Sequence, residues 1–209
     1  MHVIALVGNK GGAGKTTLCV NLAAAMASMQ PSLILDADPQ QSSLQWRDIA
    51  EGSESVEVVR ATGGLERVVE QIDDDWSHCL VDCPPSVHSR QMQEALRVAD
   101  LAVIPIQPSP LDIWATVHIE NEIVSARKEN PRLNALMVIN QLEPRTRLSQ
   151  IMHRALAELS LPSAETPIRR RAVYRNSFLE GRTVHDMGSR GRAASEEIHQ
   201  LLREIRQQL

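Results

Sequence analysis

Aromatic side chains are almost missing from this 209-residue chain: three Trp, one Tyr and one Phe, 2% of the total. That scarcity argues against stacking nucleic-acid bases on aromatic platforms, and it obliges the core to be aliphatic, built from Val, Ile, Leu, Ala and Met. Cysteine is scarce as well. Cys19, Cys79 and Cys83 are odd in number and lack metal-ligand spacing, so they read as buried reduced thiols of a cytosolic protein. No basic stretch followed by an apolar one opens the chain, and no apolar run approaches membrane-spanning length. The expected location is therefore the cytoplasm, with no membrane partner. Repeats, low-complexity tracts and linkers are absent too, and the expected organisation is one domain over residues 1–209.

What is present alternates. Short apolar runs at His2–Val7, Leu33–Asp36, Val56–Arg60, Cys79–Asp82, Leu101–Ile106 and Leu136–Asn140 read as strands, with a short one near Ala164–Ile168. Several are continuously apolar, as strands buried on both faces are. Helical patterns lie between them at Lys15–Met29, Ser42–Ala50, Leu65–Ile72, Val87–Val98, Leu111–Lys128 and Leu148–Leu159, and a last helix covers Ala193–Leu209. The alternation predicts an α/β fold, a mostly parallel twisted sheet flanked by helices on both faces.

The first strand runs into Gly8-Asn-Lys-Gly-Gly-Ala-Gly-Lys-Thr-Thr17. Gly11, Gly12 and Gly14 let backbone N–H groups, Ala13 among them, turn inward around phosphate oxygens. Lys15 adds a point charge for the β and γ phosphates, and the Thr16 hydroxyl is placed to ligate Mg²⁺. The helix beginning near Lys15, with Thr16 and Thr17 in its first turn, aims its N-terminal dipole at the same anions. ATP and Mg²⁺ are thus the expected ligands, and the fold narrows to a P-loop NTPase. Two further strands end in acids. Leu33-Ile-Leu-Asp36-Ala-Asp38-Pro-Gln40 carries two carboxylates two residues apart, which an extended strand would project to one side. Leu80-Val-Asp82 ends an apolar strand in the manner of a Walker B aspartate holding Mg²⁺ through water.

The general phosphate-loop pattern wants glycine at position 9, where this chain has Asn9, and it has a second lysine, Lys10, inside the loop. In this K-G-G-x-G-K-[ST]-[ST] form the chain resembles the ParA/MinD family of deviant Walker A ATPases, in its short form without an N-terminal helix-turn-helix. The resemblance implies that Lys10 reaches across an ATP-sandwich homodimer and that Asp38 activates the attacking water. Asp36 and Asp82 would support Mg²⁺, together with Thr16. The segment Val103-Ile-Pro-Ile-Gln-Pro-Ser-Pro-Leu-Asp112 resembles the proline-rich stretch near the family's dimer interface. Asn140, ending its strand, matches an asparagine set against adenine. Pro167-Ile-Arg169 through Gly181-Arg-Thr-Val184 resembles the segment from the adenine pocket to the DNA-facing surface, so Pro167 and Arg169 are expected at the nucleotide.

Charge is segregated. Residues 1–144 hold 10 Lys and Arg against 19 Asp and Glu; residues 145–209 hold 12 against 7, every one of the twelve an arginine. Seven of them lie between Arg169 and Arg192, and of these Arg169, Arg170, Arg171, Arg175, Arg190 and Arg192 are expected at DNA. Arginine's planar fork suits phosphate, and no base-reading helix is evident, so backbone binding to double-stranded DNA without sequence preference is expected. The resemblance implies a nucleoid-associated ATPase that segregates a plasmid or chromosome partition complex through a ParB-like adaptor. Positioning of a protein organelle such as the carboxysome through an McdB-like partner uses the same residues. A MinD-like membrane ATPase would carry a separate basic amphipathic tail, whereas Leu201–Leu209 is continuous with a packed helix. A nitrogenase-reductase-like carrier needs paired cluster cysteines, a tyrosine kinase needs more than Tyr174, and a small-molecule kinase has no use for Lys10.

Overall fold

The computed structural model describes residues 1–50, 56–62 and 64–209. Seven strands form one sheet: β1 (His2–Leu6), β2 (Ser32–Asp36), β3 (Glu57–Arg60), β4 (His78–Asp82), β5 (Leu101–Ile106), β6 (Asn134–Leu142) and β7 (Ile168–Arg169). Their order across it is β3-β2-β4-β1-β5-β6-β7. Each neighbouring pair runs parallel. The helices are α1 (Lys15–Ala27), α2 (Ser42–Ile49), α3 (Leu65–Glu70), α4 (Arg90–Val98), α5 (Pro110–Ala126), α6 (Arg147–Ala157), α7 (Ala172–Leu179) and α8 (Gly188–Arg206), with a 3₁₀ turn at Val184–Met187 before the last.

The continuously apolar strands serve both faces of the sheet. Val3, Ala5, Leu33, Leu35, Cys79 and Val81 pack into one layer with Leu65, Met92, Leu96, Ile119 and Ile123 from α3, α4 and α5. Their neighbours Ile4, Leu6, Ile34 and Leu80 point the other way, onto α1 and α8. All three cysteines are buried and free. Burial holds their thiols up, Cys79 to about 12, so they stay protonated.

Several boundaries differ from the sequence expectation. Helix α4 starts at Arg90 rather than Val87, because the Ser89 hydroxyl caps it by accepting Met92 N at 3.2 Å. The last helix starts at Gly188 rather than Ala193, and within its added first turn Gly191 lies flush on the carbonyl of Val184. Helix α7 is an element that apolar periodicity did not reveal. It is only eight residues long and buries just Tyr174 and Ser177. Strand β6 does not end at Asn140 but continues to Leu142 through a register shift.

Candidate functional site

Parallel register places the ends of β2, β4 and β1 side by side: Asp36 pairs with Asp82, and Asp82 with Leu6. The loop leaving β1 therefore rises directly above two carboxylates. It closes on Gly14, which caps α1 in the left-handed region at φ 91°. A side chain here would be strained at that φ, and its Cβ would displace the Asn140 amide nitrogen, 2.2 Å away. Beyond it the N–H groups opening α1 face the loop's interior, the arrangement that binds phosphate.

Lys15 is 6% exposed, and its ammonium donates to the carbonyl of Lys10 at 3.2 Å. Burial lowers its pKa, while the charges of Asp82 and Asp38 raise it again. Asp82 is fully buried. Its Oδ2 accepts from Ser43 Oγ at 2.6 Å, and its Oδ1 has no hydrogen-bond partner. Burial pushes its pKa up to about 6, against the opposing pull of the Ser43 and Thr16 hydroxyls. An orphaned carboxylate oxygen beneath a phosphate loop fits a Mg²⁺ hydration shell, and it stands near the hydroxyl of Thr16. Among the described residues no group of three or more His, Cys, Asp or Glu could hold a metal alone.

Asp36 and Asp38 do not project together from one strand. β2 stops at Asp36, and Asp38 stands in the following turn, where Gln41 N donates to its carbonyl at 2.9 Å. Both Asp36 oxygens accept backbone N–H groups, from Asp38 at 3.1 Å and Leu44 at 3.0 Å. Burial raises its pKa and those bonds lower it. Asp36 thus fixes the turn that carries half-exposed Asp38.

Lys10 sits on the rim, 41% exposed, with Nζ 3.0 Å from Asp112 in the first turn of α5. Beside it α5 exposes a strip of apolar side chains, Leu111 at 61%, Trp114 at 67% and Val117 at 44%. Sequence reasoning reached Lys10 but not Asp112, Gln107, Ser43 or Gln141. Gln107 and Asp112 lie inside the proline-rich segment it singled out; Ser43 and Gln141 had no signal.

A cavity of about 580 Å³ opens from Gly14 and Thr17 along Asn140 and Gln141 to Ile168, Arg169, Arg170, Arg171, Tyr174 and Arg175. Its size suits a nucleoside. Asn140 lines it while donating its amide to Ala13 O at 2.6 Å, so it also braces the loop. Pro167 does not line it. It faces a separate cleft with Gln200, Arg203 and Glu204, because the short strand β7 turns Ile168 inward and leaves its predecessor at the far end.

The six arginines expected at DNA do not form one free face. Arg169, Arg170, Arg171 and Arg175 border the cavity, and Arg190 and Arg192 belong to the first turns of α8. Arg169 and Arg171 both pair with buried Glu197, at 3.7 and 2.6 Å. Arg170 pairs with Glu143, and Arg192 with Glu196. Arg175 and Arg190 are exposed and have no ion-pair partner among the described residues.

Over residues 4–184 the chain matches the CobQ/CobB/MinD/ParA nucleotide binding domain. It is 37% identical to the maintenance of carboxysome distribution protein A of Halothiobacillus neapolitanus, over 97% of this chain and 95% of that one. With protein ParA of Rhizobium radiobacter it shares 28% identity over 91% and 88% of the two chains. Its fold superposes on an McdA–ATP complex from Cyanothece with a TM-score of 0.74 at 14% identity, covering 98% of this chain and 95% of the other.

Proposed function

Because the chain belongs to the CobQ/CobB/MinD/ParA nucleotide-binding family, we propose that it is a Mg²⁺-dependent ATP hydrolase whose nucleotide-driven dimerisation positions a protein organelle of the carboxysome type through an McdB-like adaptor. The observation that carries the dimer is Lys10. Lys15 is buried in the loop and already serves the phosphates of its own subunit, whereas Lys10 stands on the rim beside exposed Leu111 and Trp114. A rim cation of this kind is placed to stabilise charge on a nucleotide held by a second copy. The carboxysome cargo rests on the 37% identity to the Halothiobacillus protein across nearly the whole of both chains.

In this reading the loop N–H groups of Gly11 to Thr17 and the Lys15 ammonium bind the phosphates. Asn140 and the wall containing Arg169 receive the base. The chemistry supplied by Mg²⁺ would be positive charge to offset the charge developing on the transferred group. Thr16 would ligate it directly, and Asp82 would hold one of its waters. Asp38 orients the attacking water, and Asp36 acts through the turn that presents Asp38. Hydrolysis then separates the copies. While ATP-bound, the dimer would hold nonspecific nucleoid DNA in the cytoplasm. Arg175 and Arg190 are the cations assigned to the phosphate backbone, because the other four are already paired.

Segregation of a DNA partition complex through a ParB-like adaptor is the second reading, favoured by the 28% identity to Rhizobium ParA. Light scattering tests the shared part: ATP, but not ADP, should convert monomer to dimer. Lys15→Ala should abolish that conversion by abolishing nucleotide binding, and Lys10→Ala should bind ATP yet stay monomeric. A Lys10→Ala protein that still dimerised would remove the basis of the reading. Deleting the gene decides the cargo, since clustered organelles support the first reading and plasmid loss the second.

A further inference from the structure

Strand β6 ends irregularly. Its register against β7 shifts between Asn140 and Leu142, and Gln141, which is not glycine, sits in the left-handed region at φ 57°. Such a conformation is unfavourable for an L-residue with a Cβ, and a bulge of this kind commonly serves to re-aim a side chain. The destination is specific. Gln141 Nε2 donates to the carbonyl oxygen of Gly12 at 2.9 Å. From the adjacent strand end, Gln107 Nε2 donates to the same oxygen at 2.8 Å. A carbonyl oxygen has two lone pairs, and two glutamines from two strands take both.

The peptide bond makes this contact matter to the site. A trans peptide is planar, with its C=O and N–H on opposite edges. Pinning the Gly12 carbonyl on one side therefore fixes the direction of the Ala13 N–H on the other. Gly12 itself is at φ 78°, with nothing within 4 Å of where a Cβ would be. The two amides are the hydrogen bonds that hold its carbonyl. We infer that Gln107 and Gln141 are positioning residues that set the Gly12–Ala13 peptide plane in its phosphate-binding orientation before nucleotide arrives. Neither touches a phosphate. The inference rests on the reading of this loop as the nucleotide site.

The test measures ATP and ADP affinity of the full chain by calorimetry with Mg²⁺, alongside the thermal midpoint without nucleotide. Gln107→Ala and Gln141→Gly should each raise Kd about 2- to 10-fold, the range of one neutral hydrogen bond. ATP and ADP should suffer alike, because loop N–H groups cradle the phosphates both share. In steady state KM should rise with kcat unchanged. The double variant should lose more than the product of the singles, since either amide alone partly holds the shared oxygen. Gln141→Gly also relieves the left-handed backbone, so its thermal midpoint should hold or rise while its affinity falls. A merely structural glutamine would not separate those two readouts. A double variant within 2-fold of the parent, with Lys15→Ala unable to bind, would overturn the inference and leave the nucleotide site standing. So would a Gln141→Gly variant that loses stability and affinity together. If the parent chain binds neither nucleotide, the reading of the loop itself fails.

Discussion

Asp82 concentrates the conflict between stability and chemistry at a single side chain. Its carboxyl is wholly buried, with one oxygen on Ser43 and the other unpartnered, and burial moves its pKa from 3.8 to about 6. The folded protein therefore keeps a proton that the unfolded chain releases. Between pH 4 and 6 the native state binds more protons than the unfolded one, so this group's contribution makes stability fall as pH rises through that window. Above it the full cost of a buried charge is present. Asp82→Asn should make the nucleotide-free protein more stable at pH 7, by roughly 1–3 kcal/mol, because it removes the buried charge whose cost shows in a pKa raised to about 6, at about 1.4 kcal/mol per unit. The difference between variant and parent should shrink towards pH 4. Denaturant unfolding at pH 4, 5, 6 and 7 checks this, and a constant difference would remove Asp82 as its source.

Asp36 and Asp82 were legible because each closes a run of consecutive apolar residues, and a carboxylate stands out at the end of a strand buried on both faces. Gln107 and Gln141 were not. A polar residue at a strand end is ordinary, and nothing in the letters Asn140-Gln141 announces a left-handed backbone. The charge of Arg171 was equally visible, but its pairing with Glu197, 26 positions away, needed the fold.

At the scale of elements, α8 is held by a backbone contact that no side chain mediates. A Cβ on Gly191 would stand 2.0 Å from the Val184 carbonyl oxygen. Alanine gains up to about 1 kcal/mol of helix propensity over glycine, yet overpacking against rigid backbone costs roughly 1–3 kcal/mol. The clash should win. Gly191→Ala is expected to lower the thermal midpoint by several degrees, and an unchanged or raised midpoint would show that α8 yields. The same turn is tied to the phosphate-loop helix through Asn21, which donates to Thr17 O at 2.7 Å and accepts from Val184 N at 2.8 Å. Strands and long helices followed from periodicity because they are buried. Helix α7 escaped it because its eight residues cover the rim of a cavity, with no continuous apolar face to show.

For the molecule as a whole, the acidic first two thirds and the arginine-rich remainder suggested a basic face, and the fold redistributes it. Four of the six arginines expected at DNA meet acids instead: Glu197 and Glu196 of α8 and Glu143 just after β6. Arg175→Glu combined with Arg190→Glu should weaken binding to DNA of any sequence. It should also flatten the dependence of log K on log salt by about 0.9 for each lost phosphate contact. An unchanged slope would move the DNA surface elsewhere. The cargo lay beyond the sequence for a different reason: under the proposed function the same site residues would serve either cargo, and an adaptor would recognise it.

The three tryptophans sit in three distinct environments: Trp46 is fully buried, Trp76 is partly covered and Trp114 is 67% exposed. The protein consequently carries its own optical reporter. Iodide should quench the red edge of the emission, where Trp114 dominates, and leave the blue edge of Trp46 untouched. If the α5 strip is covered when ATP joins two copies, quenching should fall on adding ATP and return as the nucleotide is consumed. A Trp114→Phe variant should lose that signal, which makes assembly and disassembly readable in a cuvette without any label.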